Sequence, residues 1–142
     1  MAIVYSTVES LLDYLNGTIS DVESFHVNKE ELETDIKTAA AVKYFIQTAV
    51  ESCANIAEHI IFGLNLDNPE TTKELFPVLT KYKILDEALS KKLKDAVGLR
   101  NILVHMYREV DLSILADSAT VGLNDLRAFA KAINEFLEKQ RS

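Results

Sequence analysis

Cysteine is almost missing from this sequence: Cys53 stands alone among 142 residues, which excludes an intrachain disulfide and any zinc site built from clustered thiolates. Its surroundings, Val50-Glu51-Ser52-Cys53-Ala54-Asn55-Ile56, read as an ordinary helix interior, so the thiol is expected to pack. Glycine (4) and proline (2) are equally scarce. An all-β chain needs a turn signal about every 8 to 12 residues, so the expectation is all-α. Long apolar runs are missing too. The longest are a few residues, such as Ile60 to Phe62, against the roughly 20 that a membrane span requires. Met1 to Val8 carries neither the basic flank nor the apolar stretch of a secretory signal, and a cytoplasmic location is expected. No repeat, low-complexity tract or Gly/Ser linker marks a boundary, and a chain 48% apolar with net charge −7 is too hydrophobic for intrinsic disorder. One domain over 1–142 is expected.

Apolar spacing gives five helices. The first runs from about Thr7 to Leu15 and ends at Asn16-Gly17. The second starts from an Asn28 cap, with Glu30, Glu31 and Glu33 opposing its dipole, and continues unbroken to Gly63. The third begins near Asp67-Asn68-Pro69-Glu70, with Pro77 limiting or kinking it. The fourth, from Asp86 or Ser90, buries Leu89, Leu93, Ala96, Leu99, Leu103, Met106 and Val110. The last, about Val121 to Lys139, buries Leu126, Phe129, Ile133 and Leu137. Short links between amphipathic helices imply an antiparallel bundle of four to five helices.

Charge is unevenly spread. Residues 1–80 hold 4 basic and 13 acidic side chains, 81–108 hold 7 and 3, and 109–142 hold 4 and 6, giving local balances of −9, +4 and −2. An acidic protein is a poor general ligand for nucleic acid, because neutralised phosphates supply most non-specific affinity. The exception is the set Lys81, Lys83, Lys91, Lys92, Lys94, Arg100 and Arg108, which either makes a local anion-attracting field or forms a solvated face with i,i+4 pairs. Within it, Gly98-Leu99-Arg100-Asn101-Ile102-Leu103-Val104-His105-Met106-Tyr107-Arg108 gathers the reactive side chains. At about 100° per residue from Arg100, Arg108, Asn101 and His105 fall at roughly 80°, 100° and 140°, Tyr107 at about 340°, and the apolar residues around 260°. One polar side is therefore expected. Histidine exchanges protons near neutral pH, and arginine offers a planar donor fork for phosphate oxygens. Together they meet the requirements for metal-free RNA cleavage, in which the ribose 2′-hydroxyl attacks its own phosphodiester. Alternatively, the two satisfy helix-end carbonyls or surface ion pairs.

The run Leu99 to Tyr107, followed by Val110-Asp111, resembles the R-x4-H-x-Y signature of HepT-like toxins in the HEPN superfamily. The weaker likeness extends over the long second helix, the Pro-containing short helix and the final helix. That resemblance implies a two-fold homodimer in which the motifs of both copies line one RNA-cleaving cleft, with Arg100 holding the scissile phosphate and His105 acting as general acid/base. It also implies a partner, a nucleotidyltransferase antitoxin of the MntA type, which adds AMP to the motif tyrosine, here Tyr107. Asn101 is expected to orient the imidazole or touch phosphate, and Lys91, Lys94 and Arg108 to contact the RNA backbone or merely to aid solubility. A competing expectation is a non-catalytic HEPN module that binds or positions substrate for the nucleotidyltransferase. The nucleotidyltransferase itself is excluded, for want of a Gly-Ser turn followed by D-x-D. No cofactor and no metal are expected, and His26 and His59 receive no role. His59 has Gly63 rather than a second ligand at i+4.

Overall fold

A computed structural model of the chain describes residues 2–105 and 109–142. Among the described residues there are seven helices and no strand: α1 (Tyr5–Phe25), α2 (Lys29–Thr34), α3 (Ile36–Gly63), α4 (Leu75–Lys81), α5 (Glu87–His105), α6 (Leu112–Ser118) and α7 (Leu123–Arg141).

Helix α1 runs ten residues past its expected end. Gly17 points into open space and costs about 1 kcal/mol relative to alanine. The turns beyond it bury Ile19 and Val22, worth about 1.5–3 kcal/mol each, so burial wins. The helix stops at His26, which turns left-handed at φ 49°.

The expected long second helix is two helices. Asn28 does cap, its Oδ1 accepting from the Glu31 N–H at 2.8 Å, but it caps only the short α2. The break is Asp35, whose carboxylate accepts from the N–H groups of Lys37 and Thr38 at 3.1 and 3.2 Å and from the Thr38 hydroxyl at 2.9 Å. Those donors, first the backbone N–H of Thr38 and then its hydroxyl, hold the Asp35 carboxyl below the usual carboxylate range. A residue that satisfies the orphan N–H groups of the next helix starts a new helix there. Helix α3 then ends at Gly63 as expected. A Cβ there would stand 3.1 Å from the Ala2 carbonyl oxygen, so the N-terminal strand of chain can cross only a bare backbone.

The expected helix start at 67–70 is instead a loop. Asp67 within it accepts from Lys81 Nζ at 2.6 Å and from the Tyr82 hydroxyl at 3.2 Å, clasping the loop to the end of α4. Pro77 occupies the third position of α4, where its missing N–H would have had no partner anyway, so it neither ends nor kinks the helix. Asp86 accepts from the Leu89 N–H at 2.7 Å to open α5. The described part of α5 stops at His105, and Val110 lies outside any helix. Helix α6 went unforeseen: Asp111 caps it through the N–H groups of Ser113 and Ile114.

Phe25 of α1 meets Phe45 of α3 at 6.1 Å, while Ala2 reaches Gly63 at the other end, so α1 and α3 are antiparallel. Helix α7 returns along α1, with Arg127 on Glu23 and Arg141 on Glu9. Between them lie Leu15, Ile19, Ile56, Ile60, Phe76 and Phe129, all essentially solvent-free, with the two phenyl rings edge-on at 6.0 Å. The antiparallel bundle is as expected, with two short capped helices added. Among the described residues no helix is long and apolar enough to cross a membrane.

Candidate functional site

Helix α5 lies against α3, α4 and α7 and positions every described residue of the R-x4-H segment. Its core-facing residues redraw the expected wheel. Taking about 100° per residue from Arg100, buried Leu93, Val97, Leu99 and Leu103 fall at roughly 20°, 60°, 260° and 300°. The buried arc is thus centred near 340° rather than 260° and includes Arg100. The polar residues therefore do not share one side. Arg100 points toward α3, whereas Asn101 and His105, at roughly 100° and 140°, lie on the open flank with Lys94 and Lys91. The expected centre rests on the helix's last turns, where Ile102 is only half-buried and Val110 lies outside any helix; Met106, expected in the buried stripe, lies outside the described residues.

Arg100 is only 19% exposed, and its Nη1 stands 3.8 Å from Glu51 Oε2 of α3. That is an ion pair, but too long for a hydrogen bond. Its Nε is buried and has no hydrogen-bond partner among the described residues. A guanidinium has five donors in a rigid fork and gains most from bidentate acceptors. Here it is desolvated on one side, loosely balanced by a half-exposed carboxylate, and left with unused donor capacity. It therefore has an unmet demand for an anionic oxygen pair. His105 closes α5 with its ring exposed, Asn101 is half-buried, and Lys94 and Lys91 are half-buried and exposed. Tyr107 and Arg108, the expected AMP acceptor and a backbone contact, lie outside the described residues.

Glu51 was read from sequence only as part of a packed helix interior. Its signal is faint: it is the single acid among the small and apolar residues 49–57 of α3, and only the fold brings it to Arg100. Cys53, two residues on, is fully buried as expected, and desolvation pushes its thiol far above the ordinary range. His59 lies on the exposed side of α3, lining a groove of about 450 Å³ with Phe62, Leu66 and Pro69. A second cleft, about 260 Å³ between α3, α5, α6 and α7, is lined by Val50, Leu93, Ala96, Leu99, Ile114 and Leu126. Its α5 residues lie on the flank of the helix away from His105. Among the described residues no group of three or more His, Cys, Asp or Glu side chains could hold a metal ion.

Residues 3–133 match the family described as Ribonuclease HepT-like. The mRNA nuclease HepT of Shewanella oneidensis is 30% identical over 115 residues, covering 81% of this chain and 86% of that protein. The tRNA nuclease HepT of Aphanizomenon flos-aquae is 24% identical over 92% of this chain and 89% of its own length. In solved structures, the tri-AMPylated Shewanella oneidensis HEPN toxin in complex with MNT antitoxin superposes with a TM-score of 0.84 at 26% identity, covering 90% of this chain and 96% of that one. A toxin-antitoxin structure with AMP-PNP gives the same TM-score and identity over 90% and 97% of the two chains. With the family match spanning nearly the whole length and the R-x4-H pair carried on α5, the chain belongs to the HepT-like ribonuclease family of HEPN toxins.

Proposed function

We propose that this protein is the ribonuclease toxin of a toxin-antitoxin pair, cutting RNA without a metal and silenced by AMP placed on Tyr107. The observation that carries the reading is the state of Arg100: a largely buried guanidinium with one loose carboxylate partner and an unpartnered Nε, five residues before an exposed His105 on the same helix. The named activities of the relatives, mRNA and tRNA cleavage, and the AMPylated toxin bound to an MNT antitoxin support it.

In the reaction, His105 removes the proton from a ribose 2′-hydroxyl. The 2′-oxygen bonds to phosphorus while the bond from phosphorus to the 5′-oxygen breaks, and an imidazolium returns a proton to that leaving oxygen. The products are a 2′,3′-cyclic phosphate and a 5′-hydroxyl. Arg100 takes the charge that builds on the phosphoryl oxygens, exchanging the long contact with Glu51 for two short ones. Asn101, one turn before His105, steadies the ring or a phosphate oxygen, and Lys91, Lys94 and Arg108 hold the backbone. In a homodimer, two such helices face one groove and the +4 segments of both copies add, which lets an acidic protein hold a polyanion. AMP on Tyr107 places a phosphate and a nucleoside beside that groove, repelling and blocking RNA. An MntA-type nucleotidyltransferase supplies it.

The test is cleavage of a defined RNA in chelator, with the ends identified by mass. The expected products carry 2′,3′-cyclic phosphate and appear with wild type but not with Arg100→Ala or His105→Ala. Equal cleavage by all three, or a strict metal requirement, overturns the assignment. Incubation with the nucleotidyltransferase and ATP should add whole AMP units to the intact mass and none to Tyr107→Phe. AMP added to both proteins alike removes the switch, and a wild type that is AMPylated yet never cuts RNA marks a non-catalytic module instead.

A further inference from the structure

Gly98 sits in the interior of α5, where glycine costs about 1 kcal/mol relative to alanine. The fold does not demand it. Among the described residues, and apart from its own helix backbone, a Cβ built there would find within 4 Å only Lys73, at 3.4 Å from Nζ and 3.8 Å from Cε. Lys73 comes from the loop between α3 and α4, 25 residues earlier in the chain, and lays its ammonium group across the bare turn of the helix. Pro69 and Asp67 lie in the same loop, and Asp67 clasps it to the end of α4. The loop that carries Lys73 is thus tied to α4 at its other end.

The turn that receives Lys73 is not an arbitrary one. Lys91, Lys94, Gly98, Asn101 and His105 follow one another at spacings of three and four, so they form a single line along α5, roughly 21 Å from end to end. The ammonium of Lys73 fills the gap that Gly98 leaves in that line, one turn before Asn101 and two before His105. Lys29, Lys81 and Lys92 each pair with a carboxylate; Lys73, Lys91 and Lys94 appear in none of the ion pairs of the described residues. One acid lies on the line itself: Glu87, a turn before Lys91, caps its outer end, away from His105. Glu70 and Glu74 flank Lys73 in sequence and are exposed, and Asp95 projects about 40° from Lys91 and about 60° from Gly98 around α5.

We propose that Lys73, seated on Gly98, is a binding residue for the RNA backbone: it completes a continuous cationic track that delivers a single strand to His105. The proposal rests on the ribonuclease reading for the identity of the polyanion. Gly98 serves by its lack of a side chain, which leaves the ammonium group and an incoming phosphate room against the helix backbone. Lys73 acts on binding and register and takes no part in moving protons.

The experiment uses the full chain and a fluorescent RNA that is 2′-O-methylated throughout, so that it binds but cannot be cut, with anisotropy followed against salt. Lys73→Gln should weaken binding about 3- to 10-fold near 0.1 M salt and reduce the slope of log K against log salt by roughly 0.7, the loss of one phosphate contact on a single strand. Gly98→Leu, which improves helix propensity while evicting the ammonium, should reproduce that loss. The double variant should be no worse than either single one, because both remove the same contact. Lys139→Gln, at the far end of α7, should match wild type. On a cleavable RNA, Lys73→Gln should raise KM and leave kcat unchanged. Binding and salt slope equal to wild type in Lys73→Gln overturn the proposal, as does full additivity in the double variant. A wild type that binds RNA through Lys73 but never cuts it refutes only the ribonuclease reading, whereas a wild type that binds no RNA ends both.

Discussion

Helices α3 and α5 lie side by side and are built to opposite ends. In α3, 13 of 28 residues are buried, among them Ile56, Ala57 and Ile60 at zero exposure, and its one acid in the packed middle is Glu51. In α5 only 5 of 19 are buried, and its open flank carries Lys91, Lys94, Asn101, His105 and a glycine approached from outside the helix by a lysine. One helix supplies rigidity and a single counter-charge, the other a row of polar and basic groups on its open flank. Arg100 belongs to both, rooted in the buried arc of α5 and held at arm's length by α3. The contrast teaches that the candidate site lies where packing is thinnest, and that Glu51 to Arg100 is the ion pair that links the buried helix to it.

The division can be broken most decisively from the α5 side. His105→Ala should reduce RNA cleavage by more than about a hundredfold, the usual worth of a general acid/base, while thermal unfolding by circular dichroism stays at the wild-type midpoint. A drop in both would place His105 in the scaffold. From the other side, Ile60→Ala should destabilise by about 2–5 kcal/mol, read by denaturant titration, with kcat per folded molecule unchanged. A selective loss of activity would show that α3 does more than support. A smaller effect tests the contact between them. Glu51→Ala should lower KM for RNA several-fold, since Arg100 then has no carboxylate to leave before it takes a phosphate. Unchanged KM and salt dependence would mean that the 3.8 Å pair does not restrain the guanidinium.

The smallest effect is at the clasp in the loop that carries Lys73. The hydrogen bond from Lys81 holds the Asp67 carboxyl below its ordinary range, and the same bond raises Lys81 above its own. A lowered carboxyl stabilises the fold above its unfolded pKa and loses that contribution as pH falls through the folded value. A raised ammonium stabilises below its unfolded pKa and loses that as pH climbs through the folded one. The clasp is therefore intact between about pH 4 and 10, and both groups are exposed, so its weight is slight. The protection of the loop 64–74 amides, measured relative to their intrinsic exchange rates, should fall slightly below that window in wild type and be lower within the window in Asp67→Ala. A loop that exchanges identically in the two proteins would separate the clasp from the placement of Lys73.

Much of this was legible in the sequence, and what was not has definite causes. The stripes of α1, α3, α5 and α7 are long enough for a 3.6-residue period to register, and the cap at Asn28 and the stop at Gly63 stand where side-chain chemistry and glycine put them. Helix α6, at 7 residues, carries too few turns for any period to emerge; its sign is Asp111, a cap read from sequence only as part of a motif. Asp35 likewise hides a break inside an uninterrupted apolar pattern, because capping depends on where one carboxylate points. The extension of α1 past Gly17 was a contest of magnitudes that local rules scored the wrong way. At the site, residue identity exposed Arg100, Asn101 and His105, but their directions follow from which arc of α5 meets α3 and α4. Glu51 and Lys73 are 49 and 25 positions from the α5 residues they approach, a separation that only tertiary structure closes.

The guanidinium of Arg141 lies 4.3 Å over the ring of Tyr5 and also grips Glu9, so the opening turn of α1 and the closing turn of α7 are stitched together. Neither helix end can therefore fray without releasing the other, and the two turns share one opening event although 132 positions of chain separate Glu9 from Arg141.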